Sequence, residues 1–284
     1  MPPELKPAFE AEQVYFTLPR GGRVACYKKT GTGRPLLLLH SINAAPSAFE
    51  VSPFFLQMKL EQPLYAADLP GFGLSSRADR AYTASFYAQS IVDLCQIIDD
   101  GPIDVLALST TCELVAQAVK LAPYLFNKLV LVSPTGFSRR KVRSGSGSGA
   151  LNVLRTPLLG EALFRALRSR TSINYFLNMA FKDGAPKLMI DYAYATAAQP
   201  GARYAPFYFL SGQLFAGDAI GELYSHLPQQ VLVIYDKDPN VSLRLLDEFA
   251  AERENWTACR VADTRGLPHF EKPEETEEVL KRFL

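Results

Sequence analysis

Continuous apolar runs alternate with helix-like segments through the first half of the chain. The four clearest runs, each bounded by proline or polar residues, are RPLLLLHS, PLYAADLP, IDVLALS and KLVLVSP. Such runs are typical of strands buried on both faces of a parallel sheet. Between two of them, Tyr87, Ile91, Leu94 and Ile98 recur at helical spacing after Thr83, a predicted N-cap. Strands and helices that alternate with short connections predict a doubly wound sheet with right-handed crossovers.

Two β-rich segments come before this alternation and a helical block interrupts it. VYFTLP and RVACYK, joined by a glycine turn, predict an N-terminal hairpin. After KLVLVSP comes the Gly/Ser linker RRKVRSGSGSG, and the chain from Ala150 to about Gly221 has helical patterns only. The sheet pattern resumes with QQVLVIYDKDP, and a helix is predicted from Val241 to Glu254. We therefore predict a sheet domain built from residues 1–136 and 222–284, with residues 137–221 as an inserted helical cap.

Composition narrows the functional classes. The chain has 284 residues, 48% of them hydrophobic and 21% charged, with a formal net charge of +1. A charge so near zero gives no electrostatic reason to expect nucleic-acid binding. The four cysteines lie at wide spacings, which favours reduced thiols over disulfides or a zinc site. No apolar run is long enough for a spanning helix and no signal peptide is evident, so we expect a cytoplasmic protein without stable membrane insertion.

One segment is strongly basic. Between Arg139 and Arg170 there are eight basic residues and a single acid, Glu161. The favoured interpretation is a solvated face. The alternative is a surface that makes transient contact with anionic lipid headgroups.

The stretch ALSTT places Ser109 between a buried strand and an apolar-faced helix. A tight strand-to-helix turn would project the hydroxyl away from the backbone, and the following helix N-terminus would offer free N–H groups to an oxyanion. These are the needs of a serine that attacks a carbonyl. The simpler alternative is that Ser109 only caps a helix.

With these segments in order, the chain resembles the α/β-hydrolase superfamily over almost its full length. RPLLLLHSINAAPSAFE is similar to the third strand and oxyanion loop, LYAADLPGFGLSS to the D-x-P-G-x-G-x-S segment, and ALSTT to the nucleophile elbow. LVIYDKDPNVS resembles the strand that ends at the acid, and GLPHFEKPEE the histidine loop. The resemblance implies a mostly parallel, eight-stranded α/β fold with a helical cap, and a Ser-Asp-His order of catalytic residues.

The elbow and oxyanion loop depart from the family pattern. Thr111 replaces the usual glycine, which implies a tighter contact or a slightly opened turn, and Ser41 replaces glycine after His40. The resemblance implies oxyanion donors at the backbone N–H groups of Ile42 and Thr110. His40 is expected to shape its loop.

The resemblance places the acid after the seventh strand, where Asp236 and Asp238 both occur. Asp238 is favoured because the usual motif ends in Asp before Pro239, but the loop lacks one glycine and Asp236 stays open.

For the base, two alignments of the loop compete. In the ungapped alignment, His269 takes the second, non-catalytic histidine place of G-H-x-P-H and Gly266 takes the first. In a shortened loop, His269 is the base. We favour the second alternative because no other histidine is near the last strand.

These expectations define a cofactor-free, metal-free serine hydrolase, an esterase or thioesterase-like enzyme acting on a small apolar acyl substrate. Ser109, His269 and Asp238 would form its triad. Two alternatives keep the fold: a carbon–carbon bond hydrolase on the same triad, and a catalytically silent binding protein.

Overall fold

The computed structural model of the protein describes residues 4–139 and 148–284, and its centre is one eight-stranded sheet. The strands are β1 Glu12–Leu18, β2 Gly22–Lys29, β3 Leu36–Leu39, β4 Leu64–Ala67, β5 Ile103–Leu108, β6 Phe126–Val132, β7 Gln230–Tyr235 and β8 Trp256–Arg260. Their order is β1-β2-β4-β3-β5-β6-β7-β8. β2 pairs antiparallel with β1 and β4, and the remaining neighbours are parallel. The predicted α/β fold with a mostly parallel eight-stranded sheet is confirmed.

Helices cover both faces of this sheet. They are α1 Ser52–Leu56, α2 Ala84–Ile98, α3 Thr111–Leu121, α4 Ser148–Arg155, α5 Pro157–Leu167, α6 Arg170–Met179, α7 Lys187–Ala197, α8 Tyr204–Leu210, α9 Ala219–Glu222, α10 Leu246–Ala251, α11 Pro268–Glu271 and α12 Pro273–Phe283. Short 3₁₀ turns occur at Ala48–Val51, Pro123–Leu125 and Tyr224–His226. The side chain of Thr83 accepts a hydrogen bond from the Phe86 N–H at 3.2 Å, so its predicted capping role is confirmed.

Burial on both faces explains the continuous apolar runs. Leu37 and Leu39 of β3 pack in the same core cluster as residues of α2 and α3. Leu36 and Leu38 point to the opposite face and pack with α1 and α12. All four leucines are fully buried. A strand with helices on both sides has no polar face, and the period-two alternation of a half-exposed strand is therefore missing.

The loop after β7 is longer than predicted. The helix expected from Val241 begins only at Leu246, because the backbone N–H groups of Asn240 and Val241 donate to the Asp238 carboxylate. An aspartate that accepts from N–H groups just after it favours a turn over a helix. The error matters, because this loop carries the candidate acid.

The block from α4 to α9 lies between β6 and β7 in the chain, and the division into residues 1–136, 137–221 and 222–284 stays a prediction. Most of the predicted linker, with Arg140, Lys141 and Arg143, lies outside the described residues. Two other arginines of the basic segment pair with acids: Arg155 with Asp79, and Arg170 with Asp191, both at 2.6 Å. Among the described residues, no helix has the length and apolarity needed to cross a bilayer.

Candidate active site

Ser109 occupies the corner between β5 and α3 with its backbone in the left-handed region, at φ 50°. That conformation costs a non-glycine residue roughly 1–2 kcal/mol. Hydrogen bonds on both sides hold it: the Ser109 N–H donates to Val132 O at 2.9 Å, and the Cys112 N–H donates to Ser109 O at 3.1 Å. The hydroxyl has no hydrogen-bond partner among residues 4–139 and 148–284. The elbow thus presents a hydroxyl that is free of other hydrogen bonds, and a nucleophile at this position would also require a base within hydrogen-bond reach.

Thr111 stands where the family pattern has glycine, and its hydroxyl has a specific partner. Its Oγ1 donates to the backbone oxygen of His40 at 2.7 Å, in a fully buried contact. The bond joins the elbow directly to the loop after β3. Where a glycine would let the two backbones pack closely, the threonine side chain instead links them by a hydrogen bond.

We expect Thr111→Val to lower the free energy of unfolding by about 1–3 kcal/mol, because the nearly isosteric side chain leaves the buried His40 carbonyl without its donor. Urea unfolding followed by circular dichroism measures the change. Thr111→Ser keeps the hydroxyl and serves as the control. A loss in Thr111→Ser with none in Thr111→Val would mean that packing of the methyl group, and not the hydrogen bond, stabilises this contact.

Two further buried groups fix the loop after β3. His40 accepts a hydrogen bond from the Leu69 N–H at Nε2, 2.9 Å, so its proton is on Nδ1, which donates to Ser41 O at 2.5 Å. Burial lowers the pKa of His40 to about 4, although the bond to Ser41 acts in the opposite direction. His40 is thus a neutral, fully engaged side chain that shapes the loop, as expected.

Glu50 is the second group, and the sequence analysis missed it. Its carboxylate accepts hydrogen bonds from the Ser41 N–H at 2.8 Å and from Asn43 Nδ2 at 2.9 Å. Burial raises the pKa of Glu50, and these hydrogen bonds lower it in part. A single glutamate in a short 3₁₀ turn carries no sequence signal for such a role.

The two predicted oxyanion donors flank this region. Ile42 lies on the loop after β3 and lines the same cavity as Ser109, and Thr110 directly follows Ser109. Within the described part of the chain, neither backbone N–H donates a hydrogen bond. Both are therefore available to an incoming oxygen, and their role as donors is a proposal.

The two candidate acids have different surroundings. Asp236 is buried and receives hydrogen bonds from Arg260 Nε at 2.6 Å and from the Thr264 N–H at 3.0 Å. Although burial raises its pKa, these bonds outweigh that effect and lower it overall. Asp238 instead lines the cavity that contains Ser109. Burial raises its pKa, and the N–H groups of Asn240 and Val241 partly offset this. The open alternative, Asp236, is thus engaged in a structural ion pair.

Neither ring nitrogen of His269 forms a hydrogen bond with Ser109. The ring is fully buried and stacks on Phe54, with the centroids 4.3 Å apart. Its Nε2 lies 2.7 Å from Glu50 O and therefore donates to that carbonyl, whereas Nδ1 has no partner. Burial lowers its pKa to about 4, against the influence of the Glu50 bond. The expected shortened-loop placement, with His269 beside the serine, is not met, because α11 points the ring into the core behind the oxyanion loop.

Gly266 occupies the place that the ungapped alignment gave to the first histidine. It is buried and lines the cavity with Ser109 and Asp238. A Cβ at this position would lie 2.8 Å from Asp238 Oδ2. The Ser133 hydroxyl donates to Gly266 O at 3.0 Å and fixes the loop to the end of β6. A side chain at 266 would therefore start directly beside the candidate acid.

The cavity itself has a volume of about 430 Å³. Its walls are mostly aliphatic and aromatic, with contributions from the helical block at Leu167, Ile173, Phe176, Leu177, Phe209 and Leu210. The described lining residues include two carboxyl groups, Glu50 and Asp238, and no lysine, arginine or histidine. No group of three or more metal-ligating side chains occurs in the described ranges. The arrangement suits a largely apolar ligand that meets Ser109 at one end.

Comparison with known proteins identifies the family. A model of the alpha/beta hydrolase family matches residues 36–279, so the chain belongs to that family. An uncharacterized protein of Mycobacterium tuberculosis (strain ATCC 25618 / H37Rv) is 27% identical over 145 residues, which are 48% of this chain and 41% of that protein. The chain thus matches less than half of the length of this curated relative.

Two solved structures share the whole fold. A serine hydrolase involved in carbazole degradation, the CarC enzyme, has a TM-score of 0.74 at 18% identity, covering 96% of this chain and 98% of that one. A thermophilic esterase from Thermogutta terrifontis has a TM-score of 0.72 at 17% identity, covering 96% and 97%. At such identities the likeness concerns the fold.

Proposed function

We propose that the protein is an ester hydrolase acting on a small or medium apolar acyl ester, with Ser109 as its nucleophile. The observation that carries the proposal is the strained backbone of Ser109, which holds an unengaged hydroxyl at the edge of an apolar cavity. Strain of this kind persists where surrounding structure maintains it, and it concentrates at functional sites. The serine hydrolase and the esterase of the same fold support the reaction class.

In the proposed reaction, Ser109 Oγ attacks the ester carbonyl and the N–H groups of Ile42 and Thr110 hold the developing oxyanion. A donor of this kind is worth about 3–4 kcal/mol to the transition state. Asp238, and not Asp236, is the acid that would orient a base and stabilise its cation, because Asp238 faces the cavity. His269 has no part in this scheme, since its Nε2 is engaged by Glu50 O.

The cavity walls define the acyl preference. Aliphatic and aromatic side chains from the helical block line the same cavity as Ser109, and burial of apolar surface contributes roughly 25 cal/mol per Å². A short alkyl or aryl acyl group therefore fits better than a charged one. The two acidic groups, Glu50 and Asp238, disfavour an anionic acyl chain further.

A second candidate function is a binding protein of the same fold that does not turn over its ligand. Gly266 favours it, because the position next to Asp238 offers no imidazole. The two candidates differ in one observable. A nucleophilic Ser109 forms a covalent acyl adduct, whereas a binding site alone forms none.

The test is incubation with p-nitrophenyl butyrate followed by mass spectrometry of the intact protein and of its peptides. We expect a butyryl adduct on Ser109 in the wild type, and its loss in Ser109→Ala. Without a histidine at the serine, hydrolysis should exceed the uncatalysed rate by roughly 10³–10⁴-fold at most, the residual of sites with an incomplete triad. Ser85→Ala, on an unrelated helix, is the matched control. Absence of the adduct at saturating ester, both without and with a small base such as imidazole added, would leave only the binding role.

A further inference from the structure

Gly266 and Asp238 border one space in the cavity that Ser109 also lines. Gly266 is held by Ser133, and Asp238 is held through the N–H groups of Asn240 and Val241, so both sides of the space are fixed by hydrogen bonds. A Cβ on Gly266 would approach Asp238 Oδ2 to 2.8 Å, which shows that this oxygen faces the position directly. A serine, a carboxylate and a glycine beside that carboxylate thus line one cavity.

The described residues supply no base to this space. None of the described residues that line the cavity is a histidine, lysine or arginine. The two buried histidines are committed: His40 to Leu69 and Ser41, and His269 to Glu50. Asp238 is half-buried and has no cationic partner in the described part of the chain, and burial raises its pKa. A buried carboxylate of this kind is stabilised by a partner that donates to it.

We propose that this space, which we call the Gly266 gap, binds an imidazole-type ring supplied by the ligand, and that this ring acts as the base for Ser109. The proposal rests on the proposed function, and it names the substrate class as apolar acyl esters that carry, or bind together with, such a ring. The ring needs an N–H on one nitrogen to donate to Asp238 and a lone pair on the other to meet the Ser109 hydroxyl. An aliphatic amine does not serve, because beside a carboxylate it stays protonated at neutral pH and accepts no proton.

The chemical steps balance without any other reactant. The free ring nitrogen takes the Ser109 proton as Oγ bonds to the carbonyl carbon. The ring cation, stabilised by Asp238, then donates that proton to the leaving oxygen as the ester C–O bond breaks. In the second half, the ring takes a proton from water while the water oxygen bonds to the acyl carbon. The Oγ–C bond then breaks, the proton returns to Ser109, and the carboxylic acid leaves.

The test measures the rate of Ser109 acylation by p-nitrophenyl butyrate in the full-length protein, with and without free imidazole, by mass spectrometry of the Ser109 peptide. We expect imidazole to accelerate acylation saturably, by roughly tenfold or more. 1-Methylimidazole is the matched probe, because it keeps the lone pair and lacks the N–H for Asp238, and it should be much weaker. Asp238→Asn removes the negative charge that stabilises the ring cation, and Gly266→Leu fills the gap, so each should abolish the acceleration.

A pair of further esters distinguishes whether the ring belongs to the substrate or to a separate small molecule. Methyl 3-(imidazol-4-yl)propanoate carries its own ring, and methyl 3-phenylpropanoate does not. If Ser109 is acylated faster by the imidazole ester than by the phenyl ester when no imidazole is added, the ring belongs to the substrate. If added imidazole accelerates acylation by the phenyl ester, the ring can come from a separate small molecule. Thermal melting of each variant checks that it is folded.

Equal effects of imidazole and 1-methylimidazole, or acceleration that survives in Gly266→Leu, would overturn the Gly266 gap as a binding site. If imidazole gives no acceleration while the Gly266→His variant is active, the Gly266 gap is again overturned as a binding site, but the proposed function is left intact. No acylation of Ser109 in the wild type, with imidazole or in Gly266→His, would overturn the proposed function itself.

Discussion

Replacing Gly266 by histidine is expected to raise the rate of Ser109-dependent ester hydrolysis by roughly 10²–10⁴-fold, the usual contribution of a positioned general acid–base group. The new side chain would start 2.8 Å from Asp238 Oδ2, so a small rotation of that carboxylate is needed before the imidazole N–H can donate to it. Gly266 lacks the positive φ that would strain a side chain. Initial rates of p-nitrophenyl butyrate hydrolysis measure the gain.

The controls for this gain are Gly266→Ala and the double variant Gly266→His with Ser109→Ala. The alanine adds the Cβ without a base and should show the wild-type rate. The double variant should lose the gain entirely, because the imidazole then has no hydroxyl to activate. An increase that persists without Ser109 would mean that the new histidine attacks the ester itself, and a folded Gly266→His protein at the wild-type rate would exclude 266 as the place of a base.

Local patterns predicted the fold well because parallel strands buried on both faces appear in the sequence as continuous apolar runs. The leucines of β3 and the hydrophobic residues of β5 to β7 have no polar face to interrupt them. The errors arose where side chains compete with helix formation, as at Asp238, whose carboxylate holds Asn240 and Val241 in a loop. Such competition depends on where the carboxylate points, which the periodicity of the sequence does not contain.

The candidate site was predicted only in part, because some of its residues are marked by local pattern and others depend on tertiary packing. Ser109 is marked by the strand and helix on either side of it, and Asp238 by its place after β7. The histidine loop offered two registers that differ by three residues, and the lack of another histidine near the last strand favoured the register with His269 at the serine. The ungapped register instead puts His269 in the core and Gly266 at the cavity, and the choice depends on how α11 packs against Phe54. Packing between distant segments is not readable from one sequence.

Removal of the His269 ring is expected to affect stability far more than chemistry. His269→Ala deletes a fully buried ring that stacks on Phe54 and donates to Glu50 O, and we expect it to lower the free energy of unfolding by about 2–4 kcal/mol. His226→Ala, at an exposed position, should change it by less than about 0.5 kcal/mol. Urea unfolding at neutral pH measures both. The rate of Ser109 acylation per folded molecule should stay within about twofold of the wild type, since the effect of a general base would be at least ~10²-fold.

The pH dependence gives His269 a second signature. Its pKa is about 4 in the folded protein, against 6.5 for an ordinary histidine, so the unfolded chain binds a proton over a range in which the folded protein does not. The stability that this difference contributes is fully present above pH 6.5 and falls as the pH approaches 4, by up to about 3 kcal/mol. His269→Ala should therefore lose less stability than the wild type when urea unfolding at pH 7 is compared with unfolding at pH 5. Parallel losses in the two proteins would mean that His269 is not held neutral in the core. If the folded His269→Ala variant lost Ser109 acylation, His269 would be needed for the reaction. There would then be no reason to propose a base that comes from the ligand.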